Sequence, residues 1–122
     1  MKIIKVMLVI GVVFLLFNEV ANAEQEQVRA RIKQIVVHDD WGGGCYVWLD
    51  NSASTLSCTY PDYAHFDCSN ISARSTSAEA NQKLSLAQLA MVTDRDIYFL
   101  MDDSFVLNGF CYAERLVVNT AR

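Results

Sequence analysis

Two short stretches hold most of the side chains capable of chemistry: Cys45-Tyr-Val-Trp-Leu-Asp50 and Tyr63-Ala-His-Phe-Asp-Cys68. Each alternates apolar residues with polar or ring-bearing ones, the two-residue period of a strand with one buried face. Setting them as antiparallel neighbours with Cys45 opposite Cys68 brings Val47 opposite Phe66 and Leu49 opposite Ala64 on one wholly apolar side. The other side then pairs Tyr46 with Asp67, Trp48 with His65 and Asp50 with Tyr63. Such a face suits a sugar, because rings stack on the C–H surface of a pyranose while Asp and His hydrogen-bond its hydroxyls. The candidate ligand-binding residues are therefore Tyr46, Trp48, Tyr63, His65 and Asp67. Trp41, beside three consecutive glycines, is a further stacking candidate that can equally fold back over one end of the domain. The same rings can instead act as cross-strand packing partners or as a subunit contact.

Other chemistry is sparse. His38, Asp39 and Asp40 could join His65 as metal ligands, but no established ligand spacing supports this, and the segment reads as a solvated loop. Asp102-Asp103 reads as a turn, and Glu114 and Arg115, adjacent on a strand, point to opposite faces. Asn70-Ile71-Ser72 fits the N-glycosylation pattern, which matters only where that machinery exists. No nucleophile is placed beside a base, so no catalytic residue, metal or cofactor is assigned and the chain does not read as an enzyme. A small hydrolase is the weakest of the readings.

The four cysteines are Cys45, Cys58, Cys68 and Cys111, separated by 12, 9 and 42 residues. No CxxC pair is present, which disfavours structural zinc and thioredoxin-like redox chemistry. An even count in a small exported domain points to two disulfides, with three connectivities open. The strand register above selects Cys45–Cys68 and leaves Cys58–Cys111.

Export is itself inferred from the first 23 residues. Lys2 and Lys5 precede the apolar run 6–17, and Ala21-Asn22-Ala23 follows, the layout of a signal peptide cut after Ala23. A retained anchor would need ~20 apolar residues. The expected mature chain is then 24–122, a single domain with 8 basic against 13 acidic side chains, secreted or periplasmic and without a membrane span. Its acidity disfavours nucleic acid, whose affinity comes from clustered cations. The one basic cluster, Arg29, Arg31 and Lys33, lies along one side of a strand and reads as a solvated face.

The elements that must position these residues follow from the same patterning. Residues 24–27 read as a frayed polar start. Val28–Val37 alternates as a strand, with the phase slipping after Gln34, as a bulge or sharp bend would produce. Residues 38–44 form a turn, 45–50 a second strand, 51–62 a polar loop and 63–68 a third strand. Thr76-Ser77-Ala78-Glu79 has the form of a capping box, opening a helix to about Thr93 whose apolar stripe is Leu84, Ala87, Ala90 and Met91, widened by Leu86 and Leu89. Ile97–Asp102 and Cys111–Val118 are the last strands, joined by a loop over 103–110. The expected class is mainly β with one helix. The order β-β-β-α-β-β in about 95 residues fits a five-stranded OB-like barrel, an open antiparallel sheet with one packed helix being the alternative.

The layout resembles that of small exported bacterial OB-fold proteins, including the binding (B) subunits of AB5 toxins of the subtilase and pertussis type. The likeness rests on the signal peptide, the strands Val28–Val37 and Cys45-Tyr-Val-Trp-Leu, and a cysteine before strand three. It extends to the helix Gln82–Val92, the strand Ile97-Tyr-Phe-Leu, and the late cysteine followed by Ala113-Glu-Arg-Leu-Val-Val. It spans most of residues 28–118 without a diagnostic motif. It implies an OB-fold, assembly into a ring and glycan recognition, and transfers no individual binding residue. Two functional expectations result: a module binding a glycan through its aromatic face, or a protein-interaction or envelope protein, as homo-oligomer, inhibitor or accessory subunit, using that same face.

Overall fold

A computed structural model describes residues 24–39, 41–50, 54–72 and 74–119. The expected signal peptide and Asp40 lie outside the described residues. The chain forms β1 (Gln25–Val37), a three-residue 3-10 turn (Gly42–Gly44), β2 (Cys45–Asp50), β3 (Tyr63–His65), α1 (Ser77–Val92), β4 (Ile97–Leu107) and β5 (Phe110–Val118). The fold is mainly β, with one α-helix and five strands closing into a ring in the order β1-β2-β3-β5-β4.

β1 makes the closure possible. Its first half pairs with β4, from Gln25↔Asp102 to Ala30↔Ile97, and its second half with β2, from Arg31↔Asp50 to Val37↔Cys45. The register with β2 shifts between Ile32 and Gln34, so Lys33 is the extra residue that bends the strand as it changes partner. The alternation expected of this strand is visible in its burial: Val28, Ala30 and Ile32 are interior while Arg29, Arg31 and Lys33 are exposed. Those cations are not left to water alone. Arg29 and Arg31 both bind Asp96, Arg31 also reaches Asp94, and Lys33 lies 3.7 Å from Asp50. The bonds from Arg31 and Arg29 lower the Asp96 pKa below the usual carboxylate value.

Several boundaries differ from the sequence reading. The polar residues 25–27 are not frayed but pair with β4, because strand hydrogen bonding is a backbone property that polar side chains do not prevent. β4 and β5 run on to Leu107 and Phe110 around the two-residue turn Asn108-Gly109, where φ is +53° and +83°. Asn-Gly is the pair this left-handed hairpin turn favours, so residues 103–107 are strand and not loop. β3, by contrast, stops at His65, and the chain turns away at Asp67, where φ is +55°. Its register with β2 is Tyr46↔His65, Val47↔Ala64 and Trp48↔Tyr63, two residues away from the pairing that sets Cys45 opposite Cys68. A slip of two preserves which face each side chain occupies, which is why the apolar side survives the correction.

α1 starts at the capping box: Thr76 Oγ1 accepts from Glu79 N at 3.2 Å, and the Glu79 carboxylate accepts from Thr76 N. It ends in a Schellman closure, with Arg95 N–H on Ala90 O and Asp94 N–H on Met91 O. The buried line along it is Ala80, Ala87 and Ala90, with Leu84 packed partly against the core. Small side chains let the helix approach β1 and β5 closely. The consequence corrects the expected stripe: Leu86, Leu89 and Met91 are exposed, together with Val92.

Two disulfides, Cys45–Cys68 and Cys58–Cys111, complete the framework, with Cα–Cα distances of 5.5 and 5.6 Å. They close segments of 23 and 53 residues, for which chain entropy gives about 3 and about 4 kcal/mol of stabilisation. Replacing Cys58 and Cys111 together by Ala should therefore lower the urea-unfolding free energy more than replacing Cys45 and Cys68, by about 0.7 kcal/mol. The reverse order in matched denaturation curves would show that native-state strain, not loop closure, governs them.

Candidate functional site

The turn before β2 is built by its glycines. Gly42, Gly43 and Gly44 have φ of +61°, +68° and +85°, a left-handed run that residues with a Cβ adopt only with strain. Space forbids a side chain as well: a Cβ on Gly42 would land in the Tyr46 ring, and one on Gly44 on the Ser69 hydroxyl. The run is tied down by Gly42 N–H to Asn108 Oδ1 at 2.8 Å and Ser69 N–H to Gly43 O at 2.9 Å. It swings Trp41 back onto Tyr46 and Phe110, edge-on to both, with centroids 5.5 and 5.0 Å away.

A second wall comes from the loop before β3. Cys58 is bonded to Cys111, and two residues later Tyr60 N–H donates to Gly109 O at 2.9 Å. Gly109 has no side chain to keep the Tyr60 ring off its Cα. Trp41 and Tyr60 thus stand nearly perpendicular to Phe110, at 89° and 72°, with Tyr63 stacked on Phe110 at 4.7 Å. Phe110 is buried, while Trp41 and Tyr60 are 42% and 51% exposed. Together with Tyr46 these rings line a concavity of about 210 Å³. That is below the ~300–1,000 Å³ of a drug-sized pocket, so it takes one small ring or side group.

The expected binding residues divide. Tyr46, Tyr63 and Trp41 line this cup. Trp48 lies at its edge, stacked on Tyr63 at 5.9 Å and with the Lys33 ammonium 4.8 Å from its ring, so its surface is partly engaged. His65 and Asp67 do not belong to the outer face: both are fully buried. The extended β4–β5 hairpin covers His65, with Phe105 edge-on to it at 4.8 Å and Tyr112 at 5.4 Å. The Asp67 carboxylate accepts from Ile71 and Ser72 N–H and holds the turn after β3. The strand over 103–107 accounts for the cover on His65, and the left-handed turn at Asp67 takes that side chain out of the strand alternation.

Burial shapes the His65 chemistry. Its Nε2 is 2.9 Å from Phe105 O, an acceptor only, so the proton resides there. Its Nδ1 is buried without a partner and faces Gly43. Burial lowers its pKa below 6.5, with Lys83 and Arg74 acting in the same direction against the Phe105 hydrogen bond and the charge of Asp67. Nearby, burial would raise the Asp102 carboxyl, but bonds from Ser104, Arg74 and Gln25 outweigh it and hold the pKa at about 2.

Tyr60 and Phe110 are the members of the cup that the strand patterning does not reveal. The signals that point to them are Asn108-Gly109 between apolar residues and the positions of Cys58 and Cys111 beside them. Among the described residues no group of three or more His, Cys, Asp or Glu is placed to hold a metal. No protein-family model matches the chain, and no curated protein and no solved structure matches it.

Two outcomes are expected. Gly42→Ala should cost about 1–3 kcal/mol and alter the near-UV circular dichroism of the ring cluster; an unchanged spectrum and stability would refute the close Gly42–Tyr46 packing. For His65, the unfolded chain takes up a proton near the ordinary pKa of 6.5 and the folded chain only at lower pH. Stability is therefore complete above about pH 7 and falls on acidification through about 6.5, by up to about 1.4 kcal/mol per pH unit. His65→Gln should flatten that slope in denaturation curves between about pH 7.5 and about pH 5.

Proposed function

We propose that the protein is a small exported binding module that recognises a glycan through the aromatic cup of Trp41, Tyr46, Tyr60, Tyr63 and Phe110. The observation that carries this reading is the cup itself: two exposed rings, Trp41 and Tyr60, standing as walls over a buried Phe110. The tyrosine hydroxyls supply the hydrogen-bonding groups that a sugar needs beside its stacking surfaces. The five-stranded ring with a single helix suits an OB-like fold, whose strand-two and strand-three face often takes oligosaccharides. The two disulfides favour an oxidising compartment, and among the described residues no helix is long and apolar enough to cross a membrane. A role like that of an AB5 toxin B subunit is the functional setting that the sequence resemblance suggests.

The second reading is a protein-interaction or structural envelope protein that buries the same face against a partner. The exposed Leu86, Leu89, Met91 and Val92 of α1 favour it, since a second apolar surface suits an assembly. Glycan-array screening followed by tryptophan-fluorescence titration separates the two. For a glycan hit, Trp41→Ala and Tyr60→Ala should each weaken binding at least about tenfold, ~1.4 kcal/mol, with Trp48→Ala costing less. Unchanged affinity in Trp41→Ala would remove the cup as the site. No array hit, together with a concentration-dependent mass in sedimentation, would favour the assembly reading.

A further inference from the structure

A second cleft lies where the amino-terminal half of α1 meets the outer side of β5. It encloses about 420 Å³ and is bordered by Arg74, Glu79, Lys83, Tyr112, Glu114 and Arg115. Its three cations outnumber its two carboxylates, and among the described residues they are not paired with one another. Glu79 is engaged in the capping box of α1, and Glu114 accepts from the Gln25 side-chain amide. Arg74 is turned toward Asp102 and Ser104, with both contacts at 2.7 Å. Lys83 donates only to neutral oxygens, Tyr112 Oη and Ala113 O, each at 2.9 Å, and its ammonium lies 4.5 Å from the Tyr112 ring centroid. Arg115 is exposed and has no hydrogen-bond or ion-pair partner among the described residues.

Lys83 is half-buried, and among the described residues no carboxylate lies within ion-pairing distance of its charge. The ring and carbonyl that fix it leave one of its three N–H donors uncommitted. Arg115 contributes five more donors, in a fork that matches a carboxylate or phosphate group. Tyr112 supplies a wall between them and the interior. The rim carboxylates Glu79 and Glu114 would repel a polyanion, which limits the ligand to a small molecule with one compact anionic group.

We propose that this cleft is an oxyanion-binding site, separate from the aromatic cup, in which Arg115 and Lys83 take up the carboxylate or phosphate of a small polar molecule. Titration of the ¹⁵N-labelled, disulfide-bonded protein with glucuronate, glucose 6-phosphate and glucose tests it, against sodium chloride at matched ionic strength. Saturable shifts of the Lys83 and Arg115 amides with either anion, and none with glucose, are the expected result. A response to glucuronate alone assigns a carboxylate, and one to glucose 6-phosphate alone a phosphate. Arg115→Gln, at an exposed position without partners among the described residues, should keep the fold and weaken binding about tenfold; Lys83→Met should do likewise. The proposal is overturned if neither anion produces saturable shifts or if chloride moves the same amides equally. Unchanged affinity in Arg115→Gln also overturns it. Because Trp41 lies outside this cleft, failure here leaves the cup reading intact.

Discussion

The narrowest seam of the ring is the parallel contact of β3 with β5, only Ala64↔Cys111 and His65↔Tyr112. Two rungs of parallel pairing contribute little by themselves, yet without them the sheet would have two open edges. The two disulfides flank β3 on its two sides, one toward β5 and one toward β2. Cys58–Cys111 fixes the loop entering β3 to the β5 residue opposite Ala64, and Cys45–Cys68 fixes the turn leaving β3 to the first residue of β2. The β3–β5 seam is thus held by one covalent bond and by the buried His65 ring against Tyr112, while the second bond anchors β3 to β2.

The same arrangement creates the candidate site. Cys58 brings Tyr60 to the Asn108-Gly109 turn, whose Asn108 side chain also holds Gly42 and hence Trp41. One two-residue hairpin turn therefore sets the separation of both walls of the cup. The close approach of Tyr60 to Gly109 and of Tyr46 to Gly42 leaves the walls little room to adjust, so the cup is pre-organised, and a preformed site avoids the ordering cost of binding.

Much of this was legible in the residues themselves. Alternation marks β1 and β2, and Thr76 and Glu79 mark the start of α1. The face assignment of Tyr46, Val47, Trp48 and Leu49 survives a register error because side-chain direction depends only on parity. What escaped is what depends on distant segments. Nothing near His65 says that residues 103–107 will fold over it, and nothing in the alternation marks the left-handed turn that takes Asp67 inward. The exposed leucines of α1 escaped for a related reason. Hydrophobic spacing identifies candidate faces, but the three alanines decide the packed one, because their small size permits the closest approach to β1 and β5.

The covering of His65 has a further consequence for how the two candidate sites relate. Phe110 and Tyr112 both lie on the side of β5 that faces away from the core, the first forming the floor of the cup and the second the wall of the cationic cleft. Opposite Tyr112, β3 contributes His65, whose ring touches Tyr112 and whose Nε2 is bonded to the β4 backbone at Phe105. A charge placed on that imidazole would enter a site already under the field of Arg74 and Lys83, and its unpartnered Nδ1 would face the backbone of the glycine turn that carries Trp41. Neutral His65 therefore packs behind the Tyr112 wall and beside the glycine turn that carries Trp41. The histidine that alternation places on the outer face is thus an interior packing residue, because strand parity sets a side chain's direction but not what later covers it.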